Sequence, residues 1–396
     1  MTATTQAPPL VPGSTAHTDG AWAVIPIQTR SERFTSTVPA DFGAPTGREV
    51  NWKHTPIDRI GSLFVDEAGP HGVVDVTVTA PDEVEQLELR AGEAPRGEVF
   101  DPEDLVSAIA WSQEEVAPLL RIPANVELDR PVLIELRGTG GTAHAHVVLE
   151  AMPNSRGTIV LRHTGTASHA QNVEIIVRDG AHLDVVSLQQ WDDDAVHLSS
   201  HQARVHRDAT LRHIVVSFGG AVVRVNPSVE LAGTGSRAEL FGLSYADAGQ
   251  HLESQVYLHH KGAETSGDVL YKGALQGEGA RSVWIGDVLI GPDAVGTDSY
   301  EANRNLVLTD GARADSIPNL EIETGDIRGA GHASATGRFD DEQLFYLQAR
   351  GISEDEARRL VVLGFLAEIV QKIGIPEIEA ELFASIEEEL AKEVVA

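Results

Sequence analysis

The sequence predicts a mainly β protein built as a parallel β-helix, or β-solenoid, with an N-terminal α+β region and a C-terminal helical segment. Short Val, Ile, Leu and Thr runs recur along the chain, and a tight turn of small residues introduces each of them. No segment with helical periodicity separates these runs, which argues against a βαβ sheet. Their irregular spacing argues against propeller blades of fixed length. A two-sheet sandwich is the alternative that fits the same pattern.

Composition excludes several functional classes. The 396 residues include 30 Lys and Arg against 60 Asp and Glu, which gives a formal net charge of −30. Because such a chain repels phosphate backbones and anionic lipids, neither nucleic acid nor a membrane is an expected partner. The chain has no cysteine, so disulfides, thiolate metal sites and cysteine nucleophiles are excluded. Without a leader pattern or a long apolar run, a cytoplasmic protein is expected.

The N-terminal third divides into a tail and a mixed region. Residues 1–25 lack periodicity and are expected to form a flexible tail. Residues 26–130 are predicted to be an α/β region, with strand alternation over Val73–Val78 and helical spacing over Pro102–Leu120. Trp52 lies between charged residues just before a proline, and we expect a half-buried aromatic at a helix end.

Residues 131–339 are predicted to be the β-helix core. Gly, Asp and Asn occupy the turns, because such corners need backbone with positive φ. The strands between the turns, such as His182–Val186 and Leu211–Val216, alternate inward-facing and outward-facing side chains. In a solenoid each rung buries its face on the next, and loops of variable length are tolerated.

Residues 340–396 are predicted to be helical. Ser353 begins a capping-box pattern, and Leu360 and Leu363 follow at helical spacing on one face. A glycine and then Pro376 end this helix and begin another. The segment holds 14 acidic and 5 basic side chains, so an acidic surface surrounds the apolar stripe. Such a segment could cap the solenoid or dock a partner.

Residues 262–365 contain a series of short sequence motifs in a fixed order and spacing. They are Tyr271–Gly273, Arg281–Gly286, Asn305–Leu308, Ile317–Ile322, Gly331–Gly337, Leu344–Ile352 and Leu363–Phe365. Together they resemble the core signature of the SufB/SufD family of the Suf iron–sulfur cluster assembly machinery. The motifs Pro-Asn-Leu-Glu-Ile, His-Ala-Ser-Ala-Thr-Gly and Phe-Tyr-Leu-x-x-Arg-Gly are the most specific of them.

The resemblance implies a right-handed parallel β-helix and a place in an assembly complex. The subunit that accepts persulfide sulfur needs a thiol, and this chain has none, so the chain resembles the SufD branch. That likeness implies a non-catalytic scaffold that pairs with SufB through the β-helix. It also implies that the SufC ATPase docks on the C-terminal helices. A homodimer in the absence of SufB stays open.

The resemblance also implies site residues. His332 lies at the family's motif histidine, which is expected to contribute to iron or nascent cluster binding at the SufB interface. A neutral imidazole suits iron, and a structural hydrogen bond is the alternative role. The segment 326–332 lacks the cysteine often found before this histidine and is one residue longer than the family pattern. No cofactor is expected to bind stably to this chain alone, and flavin binding stays open. Partner contacts are expected at Phe345, Tyr346, Arg350, Leu363 and Phe365.

Other candidate sites are weaker. His144 and His146 have a spacing compatible with a metal, but an exposed strand face is the expected role. His259 and His260 precede a corner and are expected to be structural. The chain has no P-loop and no nucleophile elbow, so ATP chemistry is assigned to another protein. A secreted-type polysaccharide-active β-helix enzyme is the alternative function, but it requires a secretion signal and paired acids that are not visible.

Overall fold

The predicted β-solenoid is confirmed. A computed structural model describes residues 33–66, 73–339 and 341–392, and it shows a parallel β-solenoid of about eight turns with helices toward both termini. The expected tail, residues 1–25, lies outside the described residues. Within them, no helix is long and apolar enough to cross a membrane.

The N-terminal region combines turns, short strands and one helix. Its elements are 3₁₀ turns at Pro39–Asp41, Ile57–Arg59 and Gly61–Phe64, strands β1 (Val74–Thr79), β2 (Glu85–Arg90) and β3 (Val116–Ile122), and helix α1 (Leu105–Gln113). The helix is shorter than its sequence pattern, because the residues after it form β3, which pairs antiparallel with β2. The side chain of Asp104 accepts a hydrogen bond from the Ser107 N–H and caps α1.

Thirteen strands form the solenoid. They are β4 (Val132–Ala151), β5 (Arg156–Val177), β6 (His182–Trp191), β7 (Val196–Val205), β8 (Thr210–Gly219), β9 (Val222–Leu231), β10 (Arg237–Ala246), β11 (His251–His260), β12 (Ser266–Leu275), β13 (Arg281–Ile290), β14 (Thr297–Val307), β15 (Arg313–Ile322) and β16 (Ile327–Arg338).

The solenoid has two walls. From β6 onward each strand pairs in parallel with the strand two positions along, so even-numbered strands form one wall and odd-numbered strands form the other. Strand β5 is long enough to enter both walls, because its first half pairs with β6 and its second half pairs with β7. Neighbouring strands in one wall begin 26 to 32 positions apart, which is the length of one rung.

One corner of each rung uses left-handed backbone, as the turn residues predict. Its residues have φ between 55° and 72° and are Asn125, Asn154, Gly180, Asp208, Gly235, Glu264 and Gly296. The corners stack, because the N–H of each donates to a carbonyl in the corner of the following rung, as from Asp208 to Thr234. At Gly180 an added Cβ would lie 2.6 Å from the Asn154 side-chain oxygen, so the stack also needs the missing side chain.

The N-terminal region covers the outer face of the odd wall. Trp52, expected to be half-buried at a helix end, is instead 3% exposed and lies in a turn. Trp52 is buried because the guanidinium of Arg224 stacks 4.2 Å from its ring. The same guanidinium also lies 3.5 Å from Asp104. Although burial opposes its ionisation, His251 and Arg224 hold the pKa of Glu253 at about 2. Arg224, Asp104 and Glu253 form a buried ion cluster, which fixes the N-terminal region to the odd wall.

The C-terminal helices cover the outer face of the even wall. They are α2 (Asp341–Gln348), α3 (Glu354–Val370) and α4 (Pro376–Lys392). Half of the predicted capping box is present: the Ser353 hydroxyl accepts a hydrogen bond from the Glu356 N–H, but the Glu356 carboxylate pairs with Arg359. The predicted apolar face is only partly right, because Leu360 is 43% exposed. The fully buried face is Val362, Leu366, Ile369 and Val370, which pack against Val186, Ile214 and Phe241 of the wall.

The interior between the walls, the lumen, contains a cluster of buried imidazoles among its apolar side chains. These are His163, His169, His197, His201 and His213, each less than 2% exposed. The rings of His169 and His197 stack with centroids 5.2 Å apart, and Nδ1 of His201 lies 2.9 Å from Nε2 of His213 across the lumen. Burial lowers the pKa of every member of the cluster, to about 4 for His163 and His213 and to about 3 for His169.

This cluster predicts that acid destabilises the fold. Between pH 6.5 and about 4 the unfolded chain binds a proton at His213 that the folded chain does not, so stability falls as pH falls, by up to about 1.4 kcal/mol per pH unit for one group. We expect His213→Leu to reduce the slope of Tm against pH in that range. Leu240→Val, its neighbour in β10, should lower Tm at every pH without changing the slope. An unchanged slope in His213→Leu would contradict the buried neutral state of this imidazole.

Candidate functional site at the open end of the solenoid

The last rung of the solenoid is uncovered. Strands β15 and β16 end the pairing order, and among the described residues no strand pairs with their outer edges. Side chains of β14 alternate between buried and accessible positions, whereas no residue of β15 or β16 is fully buried. An edge of unpaired N–H and C=O groups is a surface on which another strand can add. The end of the solenoid is therefore both a mouth of the lumen and a free sheet edge.

His332 lies at this mouth. It belongs to β16, pairs with Glu301 of β14, and its side chain is 47% exposed. Alternate residues of β16 share its face, and one of them, Ser334, donates a hydrogen bond of 2.8 Å to Ser316 across the lumen. The segment before His332 contains a bulge, where the register skips Arg328 between the pairs of Thr297 and Asp298. The bulge places His332 in register with Glu301.

Glu301 ends an interior column. In parallel strands, residues in register stack on one another, and the column continues downward through Val269, Leu240, His213 and Val185. The two positions directly below Glu301 are aliphatic. A carboxylate therefore replaces an aliphatic side chain in the last covered rung.

The Glu301 carboxylate is buried without a hydrogen bond. The residue is fully buried, and neither carboxylate oxygen accepts a hydrogen bond. Nδ1 of His332 lies 3.8 Å from one oxygen. A Cβ at Gly286 would lie 2.4 Å from the other oxygen, so this glycine leaves the space that the carboxylate occupies. Burial, with a smaller contribution from Asp287, raises the pKa of Glu301 to about 8.

Glu301 was not identified from the sequence. The amino-acid sequence around Glu301 does not mark it as a site, because acidic residues are abundant in this chain. The available signal was strand alternation, which places it on the same inward face as Ser299 and Asn303. The absence of a hydrogen-bond partner depends on residues from other rungs and could not be found from sequence.

The five expected partner contacts fall into two groups. Phe345 and Tyr346 on α2 are 73% and 56% exposed, and the Arg350 guanidinium lies 4.5 Å from the Tyr346 ring. Leu363 and Phe365 on α3 are partly buried against the wall. Phe365 is further held by Lys272, whose ammonium donates to its carbonyl at 2.7 Å and lies 4.8 Å from its ring. The first group forms an exposed aromatic patch, defined here as Phe345, Tyr346 and Arg350.

The prediction of an exposed strand face at His144 and His146 is wrong. His146 is buried, and the ring of Trp111 on α1 covers it edge-on at 4.9 Å. Its Nε2 lies 3.3 Å from Glu174, which also accepts the Gly97 N–H. The structural role of His260 is supported by contacts of 2.8 Å to Thr265 and 3.0 Å to Ser299.

The described residues form no complete metal-ligand set. Over the described ranges, no group of three or more His, Asp or Glu side chains is arranged to hold a metal ion. His332 and Glu301 are two donors at an open edge. The arrangement can hold part of a site that a second protein would complete.

Comparisons with known proteins converge on one family. Residues 134–365 match the profile described as the SUF system FeS cluster assembly, SufBD core domain. An iron–sulfur cluster assembly SufBD family protein of Mycobacterium tuberculosis is 46% identical over 387 residues, which cover 96% of each chain. The corresponding protein of Mycobacterium leprae is 46% identical and covers 88% of this chain and 91% of its own length. The iron–sulfur cluster assembly protein SufD of Escherichia coli is 26% identical and covers 88% of this chain and 90% of its own length.

The raised pKa of Glu301 predicts that its removal stabilises the isolated chain. From pH 4.5 to about 8 the folded chain keeps a proton at Glu301 that the unfolded chain loses, so wild-type stability falls as pH rises. Glu301→Gln does not titrate, and we expect it to be more stable than wild type by about 1–3 kcal/mol at pH 8, with the gain shrinking toward pH 5. Urea unfolding at both pH values measures this difference.

The control is Glu323→Gln, which neutralises an exposed carboxylate beyond β15. It should leave stability within about 0.5 kcal/mol of wild type at both pH values. A Glu301→Gln variant that is less stable than wild type at pH 8 would show that the carboxylate has a stabilising partner.

Proposed function

Because this chain belongs to the SufBD family of iron–sulfur cluster assembly proteins, we propose that it is a non-catalytic scaffold subunit of the SUF assembly complex. The observation that carries the proposal is the position of His332 at the mouth of an open solenoid end. There it can receive iron or a nascent cluster together with ligands from a second subunit. The cytoplasmic location and the question of flavin binding stay as predictions.

The open end supports pairing with a SufB-type subunit. A second β-solenoid can continue the sheet at the unpaired edges of β15 and β16 by main-chain hydrogen bonds. Thiolate ligands for a nascent cluster must come from the partner, because this chain has no cysteine. Two copies of this chain joined at the same edge would lack any thiolate. Pairing with a different, cysteine-bearing subunit is therefore the favoured arrangement.

The exposed aromatic patch supports docking of the SufC-type ATPase. Aromatic and arginine side chains are enriched among residues that dominate interface energies. The patch of Phe345, Tyr346 and Arg350 lies on and just after α2, immediately beyond the last strand. Motion of a bound ATPase would therefore act close to the mouth. ATP hydrolysis is assigned to that partner, because this chain has no P-loop.

The first test uses the absence of cysteine, since an introduced thiol is then the only one in the chain. Ser334→Cys lies at the mouth, and we expect a maleimide to label it at least about tenfold more slowly once the chain is assembled with the SufB- and SufC-type subunits of its own organism. Glu88→Cys on β2, at the other end of the solenoid, is the control and should keep its labelling rate. Equal protection of both thiols, or of neither, would contradict pairing through the open end.

The second test addresses the aromatic patch. Phe345→Ser removes the ring of the patch that is more exposed, and we expect it to weaken binding of the SufC-type subunit by about tenfold or more while the SufB-type subunit is retained. Co-purification followed by quantitative mass analysis measures both. Leu87→Ser removes a side chain that is also exposed, on β2, and should change neither. Unchanged SufC-type binding in Phe345→Ser would rule out the patch as the docking site.

A further inference from the structure

We propose that Glu301 is the second ligand of an iron half-site at the mouth of the lumen, with the His332 imidazole as the first. The identity of the cargo, iron or a nascent cluster, is taken from the proposed function. The role of Glu301 comes from three separate observations. It is buried without a hydrogen-bond partner, it lies directly beneath His332, and the rung above it is the last one of the solenoid.

Burying this carboxylate lowers the stability of the fold, whereas burying an aliphatic side chain at the same position would not. Buried polar atoms are nearly always hydrogen-bonded, and an unpartnered carboxylate loses its hydration without compensation. The positions below it in the same column, Val269 and Leu240, show that an aliphatic side chain fits this face of the wall. A carboxylate kept here at such a cost is explained by a ligand that supplies the missing partner.

The surroundings of Glu301 supply no hydrogen bond to its carboxylate. Below it lies Val269, and across the lumen lie Gly286, which has no side chain, and the Trp284 ring, whose indole N–H also has no hydrogen-bond partner. Above it is only the last rung, where His332 is half exposed. An ion that enters from the open end therefore meets the imidazole and the carboxylate in succession.

The distance between the two donors suits a bridging cation. At 3.8 Å, Nδ1 of His332 and Oε1 of Glu301 are too far apart for a hydrogen bond. One metal ion with bonds of about 2.0–2.2 Å to nitrogen and oxygen can contact both. Imidazole and carboxylate together suit a divalent iron, and two ligands leave coordination positions open for thiolate or sulfide from the partner. The half-site would thus bind weakly alone and be completed on assembly.

The test is a titration of the isolated full-length chain with Co²⁺, whose visible absorption reports an imidazole-containing site and whose ligand preferences resemble those of Fe²⁺. High salt weakens non-specific binding by the many exposed carboxylates. We expect one site in the wild type that Glu301→Gln and His332→Ala each weaken by at least about tenfold. The control variants are Glu323→Gln and His182→Ala, the latter removing another His–carboxylate pair, with Asp184. Both controls should bind like wild type.

Each other outcome overturns the proposal in a distinct way. If Glu301→Gln binds like wild type while His332→Ala does not, the histidine binds metal without this carboxylate. If the wild type shows no specific site, or if both variants retain it, the half-site does not exist. None of these results affects assembly with SufB- and SufC-type subunits, which the labelling and co-purification experiments measure separately. A folded Glu301→Gln variant is verified by its urea unfolding curve.

Discussion

The in-register stacking of parallel rungs is the constraint on which the rest of the structure depends. Once one rung is set, every inward side chain packs on its equivalents in the rungs above and below. Corners must then recur in the same place, which selects residues that tolerate positive φ, such as Asn154 and Asp208. The same register determines chemistry at the end of the stack, because the bulge at Arg328 decides which residue of β16 meets Glu301.

The distribution of burial separates structural from functional surfaces. The N-terminal region covers the odd wall through the ion cluster at Arg224, and the helices α3 and α4 cover the even wall through aliphatic packing. Both outer faces of the sheet are therefore occupied by the chain itself. The last rung and the aromatic patch, which follows it in the chain, stay accessible. This distribution is what the proposed scaffold role in an assembly complex requires.

The fold followed from the sequence because its signals are local and repeated. Turn residues and strand alternation occur in every rung, so errors at single positions did not change the prediction. Errors occurred where a distant segment decides burial. His146 looked like an exposed strand residue because the covering ring of Trp111 comes from α1, and Leu360 fell outside the packed face because the wall contacts α3 from a different side. Resemblance located His332, but Glu301 required the neighbouring rungs.

The two ends of the solenoid differ in a way that limits assembly. At the beginning of the stack, β4 is followed outward by the short strands β1 and β2–β3, two of whose pairings are antiparallel, so a full parallel rung cannot be continued there. Among the described residues, only the end at β15 and β16 presents a complete rung edge. Two copies of this chain that join through that edge would occupy it in both, and the described part of neither copy has a second one. The chain can therefore expose an unpaired β-sheet edge without assembling into filaments.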